Sequence, residues 1–277
     1  MKYIKMFETE VGYRKFVNSS KYVEPNISLV NSINKVKYNP ISNELDFICN
    51  KTNDCADVTL NFSGRNPNCA FEISTDGGAS WQDCRLGRAF RIDGSTHTKI
   101  RGKARNARKW GTDVSNGTYK YYFSIRAEDD VRVTVSGDVT SLINGVGGDI
   151  ALPDYAFAGL FKQCKPLAIA PNLPSTTLSA NCYTEMFYGC VLLKDSPILP
   201  AEILVEACYV SMFEGCENLT TITALFDHHQ QLSFANYLAR WTKKIPDTGT
   251  FYKNPSASLS NSDIELERNW RIRDYAG

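Results

Sequence analysis

This chain of 277 residues has almost no net charge. Its 31 basic and 30 acidic side chains leave it at +1, which argues against a protein drawn as a whole to nucleic acid or to an anionic membrane surface. It also lacks an apolar run long enough to span a membrane. The opening Met1-Lys2-Tyr3-Ile4-Lys5-Met6-Phe7-Glu8 starts positive but has no apolar stretch behind it, so no secretory leader is expected. Histidines number three, two of them adjacent as His228-His229. Neighbours in sequence point apart in most backbones, so no metal site is expected there. Neither a phosphate-cradling glycine loop nor a dinucleotide fingerprint occurs. No metal, cofactor or nucleic-acid partner is expected.

What is present is a phrase written three times. It runs Tyr155-Ala156-Phe157-Ala158-Gly159-Leu160-Phe161-Lys162-Gln163-Cys164, then Cys182-Tyr183-Thr184-Glu185-Met186-Phe187-Tyr188-Gly189-Cys190, then Cys208-Tyr209-Val210-Ser211-Met212-Phe213-Glu214-Gly215-Cys216. Phe161, Phe187 and Phe213 are 26 residues apart, as are Cys164, Cys190 and Cys216, and Leu167, Leu193 and Leu219. A fixed period in the range of roughly 20 to 50 residues marks stacked repeats, which build extended binding faces more readily than closed pockets. Within each phrase the apolar positions fall at i, i+3 and i+4, which predicts one helical stripe facing the core. Gly189 and Gly215 are expected to close these helices. Leu152-Pro153, Leu173-Pro174 and Leu199-Pro200 punctuate the units.

Nine cysteines are present, an odd number that cannot pair completely within one chain. Five belong to the repeats and are expected to be buried thiols packing as small hydrophobes. Of the other four, Cys49, Cys55, Cys69 and Cys84, the pair Cys69 and Cys84 flanks an expected hairpin and is the best disulfide candidate.

Ahead of the repeats, alternation at Val58-Leu60-Phe62, Phe71-Ile73, Tyr119-Tyr121-Phe123-Ile125 and Val131-Val133-Val135 predicts strands with one buried face, separated by glycine turns. The first 40 or so residues read as a small separate unit. The tail carries Trp241, Trp270 and Ile272 but no further copy of the phrase, and is expected to cover the end of the repeat stack.

Met186-Phe187-Tyr188-Gly189-Cys190 with Leu192-Leu193, repeated as Met212-Phe213-Glu214-Gly215-Cys216 with Asn218-Leu219, resembles the BspA-like class of leucine-rich repeats. Leu173-Pro174-Ser175-Thr176-Thr177-Leu178 fits the same pattern, whereas Leu199-Pro200-Ala201-Glu202-Ile203-Leu204 departs from it modestly; the resemblance covers about 75 residues. The stretch from Phe71 to Trp81 with Val135-Ser136-Gly137-Asp138-Val139-Thr140-Ser141-Leu142 resembles the β-rich region that precedes such repeats in gut-bacterial surface proteins. Tyr3-Ile4-Lys5-Met6-Phe7 with Tyr22-Val23-Glu24-Pro25-Asn26-Ile27-Ser28 is similar to N-terminal modules of virion proteins from phages of gut Bacteroidales. The expected fold is therefore multi-domain and mainly β with α/β repeats. It comprises a small N-terminal α+β module (1–42), a β-sandwich-like domain (43–140), a short leucine-rich-repeat solenoid (141–225) and a C-terminal capping segment (226–277).

Three features are candidates for chemistry. Lys99, Arg101, Lys103 and Arg105 alternate along an expected strand, with Arg85, Arg88, Arg91, Arg108 and Lys109 nearby and only Asp93 opposing. Such a row suits an anionic partner (acidic polysaccharide, lipopolysaccharide phosphate or nucleic acid), or serves as a solvated sheet face or a charge-protected edge strand, with Glu128-Asp129-Asp130 as a cluster that can balance it. Tyr188 occupies a position that is Lys162 and Glu214 in the sister units, so it is expected on the outside, where it can stack on a sugar. Ser74-Thr75-Asp76-Gly77-Gly78-Ala79-Ser80-Trp81 matches the Asp-box hairpin seen in sialidase propellers. A propeller needs several blades, so this one copy is expected to be structural.

The resemblance implies adhesion and no catalytic residues. The expected function is a non-enzymatic virion-associated decoration or fibre-type protein of a phage. Its N-terminal module would dock on other virion proteins and its distal parts on a host-surface glycan or protein, and homo-oligomeric assembly is compatible with this. The alternatives are a bacterial cell-surface adhesin and, on the Asp-box alone, a glycan-active enzyme.

Overall fold

The computed structural model describes residues 43–49, 55–63, 69–93, 97–103, 106, 110, 122–127, 132–227 and 235–276. The expected N-terminal module, Arg105, Arg108, Lys109, Glu128-Asp129-Asp130 and His228-His229 lie outside these residues. The described chain is mainly β. Its α-helices, among the described residues, are two single turns, α1 (Ser141–Asn144) and α2 (Ala235–Leu238).

A six-stranded sheet contains β1 (Leu45–Cys49), β3 (Phe71–Ser74), β4 (Gln82–Cys84), β6 (Thr98–Gly102), β8 (Val133–Ser136) and β9 (Leu167–Ile169), in the order β4-β3-β6-β1-β8-β9. Period-two burial builds it: Leu45 and Phe47, Phe71 and Ile73, Val133 and Val135 point into the core while Asp46, Glu72 and Thr134 between them are half-exposed. A three-stranded antiparallel sheet runs β5-β2-β7, from β2 (Cys55–Ser63), β5 (Ala89–Asp93) and β7 (Tyr122–Ala127). The two sheets meet where the Phe47 and Phe90 rings pack edge to face at 5.9 Å. Cys69 and Cys84 remain thiols. The register sets Cys84 opposite Phe71, so Cys69 lies two residues off the facing position. Such a diagonal offset exceeds what a disulfide spans.

The repeats correct the helical expectation. In 153–164 alternate N–H groups close tight turns onto the carbonyl three residues back, such as Leu160 to Phe157 and Lys162 to Gly159. The residues between them donate sideways to the next unit: Phe157 to Cys182, Phe161 to Met186, Gln163 to Tyr188. Units 179–190 and 205–216 repeat this pattern, and each is a ribbon of consecutive β-turns rather than a helix. Left-handed residues recur every fourth position: Tyr155, Gly159, Gln163; Asn181, Glu185, Gly189; Ala207, Ser211, Gly215. A four-residue repeat and a helical repeat of 3.6 cannot be told apart over nine residues, which is why the apolar spacing looked helical.

The tail continues this construction. Tyr209, Ser211, Phe213 and Gly215 donate to the carbonyls of Tyr237, Ala239, Trp241 and Lys243, and Arg240 and Lys244 are again left-handed. A parallel sheet runs along the units in the order β10-β11-β12-β13, from β10 (Asp195–Leu199), β11 (Thr221–Ala224), β12 (Thr248–Lys253) and β13 (Asn269–Asp274). Two of its four strands therefore come from the segment expected to be a non-repeating cover.

One hydrophobic cluster extends from Leu45 to Trp270. In the coils it consists of columns. Phe161, Phe187 and Phe213 stack at 5.7 and 5.8 Å, and Phe157, Tyr183 and Tyr209 at 5.8 and 6.0 Å. The six-stranded sheet joins this core through Trp110. Its ring packs against Phe71 at 6.0 Å and Phe157 at 5.9 Å, and its Nε1–H donates to the Ala156 carbonyl at 2.8 Å. The parallel pairing of β8 with β9 carries the six-stranded sheet into the first coil.

Candidate functional site

Of the basic row, Lys99, Arg101 and Lys103 are among the described residues, and Arg101 and Lys103 are paired with carboxylates. Lys99 and Arg101 lie on one face of β6, half-exposed, with Lys103 just beyond its end. Register places Glu72 of β3 across from Arg101, and the Arg101 Nε donates to it at 3.0 Å, with Glu44 at 3.6 Å. Lys103 pairs with Asp83 at 2.8 Å and Glu72 at 3.5 Å. Lys99 stands opposite Asp46 of β1. The Arg101 guanidinium also lies 3.9 Å over the Trp81 ring. The opposing charges are thus Glu72, Asp83 and Glu44, not Asp93 alone. Each is ordinary in sequence, and only the strand register brings it to the row.

The Asp-box is a closed hairpin turn between β3 and β4. Asp76 accepts from the Ser74 hydroxyl (2.6 Å), the Ser80 N–H (2.9 Å) and the Ser80 hydroxyl (2.6 Å), while Gly78 N–H donates to Ser74 Oγ (2.8 Å). Gly77 and Gly78 have φ of +73° and +101°, which a side chain would strain. The Ser74 and Ser80 hydrogen bonds hold the Asp76 carboxyl well below its ordinary value of 3.8. That suits a turn organiser and is the opposite of what a general acid needs. A group with a lowered pKa contributes above its unfolded value, and its contribution goes only as pH falls through the lowered one. Hydrogen-exchange protection of the Gly78 and Ser80 amides is therefore expected to survive titration through pH 3.8 and to vanish in Asp76→Ala at every pH. Loss of protection near the ordinary value in the unaltered chain would show the carboxylate is not so held.

On the outer side of the coils, Tyr188 lies beneath the Lys162 ammonium at 5.1 Å, and Lys162 also pairs with Glu185 at 2.7 Å. One coil further, Arg240 donates to Glu214 at 2.6 Å. Burial opposes ionisation of Glu214, but the hydrogen bonds from Arg240 and Ser211 outweigh it, and its pKa lies below the usual glutamate value. The Lys162–Glu185 pair forms part of the lining of a shallow groove with Gly159, Thr184, Val210 and Ser211. The candidate residues thus form two places, the β6 row and the coil surface, rather than one site.

The repeat residues face inward. Phe161, Cys164, Leu167, Phe187, Cys190, Leu193, Phe213, Cys216 and Leu219 are all buried. The thiols of Cys190 and Cys216 donate to the Phe161 and Phe187 carbonyls of the preceding coil, each at 3.1 Å. Burial pushes the Cys208 and Cys216 thiols up to about 12, away from the thiolate that reacts or binds metal. Among the described residues no group of three or more His, Cys, Asp or Glu side chains could hold a metal ion, and no helix is long and apolar enough to cross a membrane. The Tyr209 hydroxyl is fully buried without a hydrogen-bond partner among the described residues, in a column whose first rung is Phe157. A buried unsatisfied hydroxyl costs about 1 kcal/mol or more. Tyr209→Phe is expected to raise the melting temperature; a fall would reveal a partner for the hydroxyl.

The sequence reading missed the outer face of the parallel sheet. The register aligns Thr221, Thr250 and Arg271 in one row, and Thr223, Tyr252 and Arg273 in the next. Ile198 of β10 extends the second row. Ile222, Phe251 and Trp270 point the other way into the core. Arg271 and Arg273 are exposed and have no ion pair with any described residue.

No family model, no curated protein and no solved structure matches this chain.

Proposed function

We propose that this chain is a non-enzymatic structural and adhesion protein, a virion-associated decoration or fibre-type protein of a phage that presents a leucine-rich-repeat solenoid to a host-surface glycan or protein. The observation that supports this reading best is the division of labour within the repeats. The 26-residue ladder of Phe, Cys and Leu is wholly interior, while the half-exposed position that is Lys162 and Tyr188 changes between coils; its third counterpart, Glu214, is buried and paired with Arg240. A scaffold held constant inside and varied outside fits a protein selected for what it contacts. The BspA-like motifs and the opening segment's likeness to virion modules give the reading its biological setting. The carboxylate that suggested glycan cleavage, Asp76, is engaged by its own turn.

Mass spectrometry of purified phage particles tests the proposal. The polypeptide is expected among the particle proteins. Its absence there, with recovery from the outer surface of bacteria, would replace this reading with that of a cell-surface adhesin.

A further inference from the structure

We propose that the outer face of the parallel sheet, at Arg271, Arg273, Tyr252 and Thr250, is a binding surface for a carboxylated polysaccharide of the polyuronate type. The proposal deepens the adhesion reading by naming a site and a ligand class, and its physical basis is independent of where the protein resides.

Three observations carry it. First, Arg271 and Arg273 point to the same side of β13, flanking the buried Trp270 and the half-buried Ile272 on the opposite side. Residues two apart on a strand are separated by about 7 Å, and each guanidinium offers a planar fork that matches a carboxylate. Second, neither arginine has an ion pair with any described residue. The neighbouring acid, Asp274, is already engaged by Lys253 at 2.6 Å, whereas the β6 cations Arg101 and Lys103 are closed by carboxylates. Third, the register gives each arginine a sugar-compatible neighbour one strand in, about 4.8 Å away. Tyr252 stands beside Arg273 and Thr250 beside Arg271, followed by Thr223 and Thr221. The half-buried Tyr252 ring supplies an apolar face with a polar tip, and the half-buried Thr250 and Thr221 supply hydroxyls, Thr223 being buried.

Other partners fit less well. A protein interface would require an apolar centre, and the middle of this face is threonine and tyrosine. A single-stranded nucleic acid would require several stacking rings along a basic groove. Charge placed merely to protect a sheet edge accounts for the arginines but not for the ring and hydroxyls in register with them.

The test measures binding of the full chain to immobilised polygalacturonate, neutral dextran and a single-stranded oligo-dA. Binding to polygalacturonate is expected, weakening as salt rises, with none to dextran. Replacing both arginines (Arg271→Ala with Arg273→Ala) is expected to raise Kd at least about tenfold, in line with loss of charged hydrogen bonds. Lys99→Ala with Arg101→Ala is expected to leave Kd within about twofold, because those cations already have internal partners. Thermal melts confirm the fold, since both Arg271 and Arg273 are exposed. The proposal is overturned by failure to bind polygalacturonate at low salt, by binding indifferent to the arginine substitutions, or by oligo-dA binding as tightly. Absence from phage particles with polyuronate binding retained removes only the virion reading; presence in particles without such binding removes only this surface.

Discussion

Phe187→Ala is expected to destabilise the fold by about 3–5 kcal/mol, the range for deleting a fully buried aromatic ring. The ring lies between Phe161 at 5.7 Å and Phe213 at 5.8 Å, nearly parallel to both. Truncation therefore removes its own burial and two stacking contacts together, and it opens a void in the middle of the column rather than at an end. The surrounding backbone cannot collapse into that void. The Phe187 N–H is bound to Met212 on one side, and its carbonyl receives the Cys216 thiol from the same coil. A melting temperature lower by on the order of 10 °C is expected. Tyr188→Ala, one residue away and facing outward, is expected to change stability by no more than about 0.5 kcal/mol. Equal effects at the two positions would mean that the column does not hold the coils together.

The second large effect is expected at a residue with no side chain. Gly137 sits just after β8, with φ of +81°, and a Cβ there would come within 1.9 Å of the Glu44 carbonyl oxygen. Its own carbonyl accepts from the Asn172 N–H at 2.8 Å, while the next residue, Asp138, donates to Asn43 at 2.9 Å and bridges to Asn172. The backbone is thus tied on both sides, to β1's approach and to the first coil, and cannot move aside. Gly137→Ala adds left-handed strain of about 1–2 kcal/mol to an overpacking cost of about 1–3 kcal/mol. Gly148 separates the two costs, because its φ is +87° but nothing lies within 4 Å of a Cβ built there. Gly148→Ala should therefore show the strain alone, about 1–2 kcal/mol. If chemical denaturation finds the two substitutions equally costly, the close approach to Glu44 is not what Gly137 accommodates.

Much of the interior was legible because it repeats. Phe161, Phe187 and Phe213 and the cysteines beside them announced both the stacking and their own burial. What one sequence could not separate was a turn of 3.6 residues from a ribbon of four, because the deciding quantity is where each N–H points. The later coils were hidden for a different reason. Their step lengthens from 26 to 29 residues, shown by Thr221 aligning with Thr250, and then shortens to 21, shown by Thr250 aligning with Arg271. The residues change as well. By backbone position Trp241 follows Met212 and Thr242 follows Phe213, so neither spacing nor identity survives although the backbone pattern does. The charged row on β6 failed for want of register. Glu72 is anonymous in sequence and decisive once it faces Arg101. The aligned rows ending in Arg271 and Arg273 were invisible for the same reason, since they are assembled from three separate strands.

The columns have a consequence for how such a gene can change. Within the stack each middle coil is joined to the coil before it and the coil after it by stacked rings and sideways hydrogen bonds. A duplication or loss of one in-frame 26-residue unit therefore preserves both ends, the Trp110 joint on one side and the Trp241 and Trp270 packing on the other. Such changes alter the reach of the molecule in whole coils, while half-exposed residues such as Lys162 and Tyr188 can vary independently of the interior.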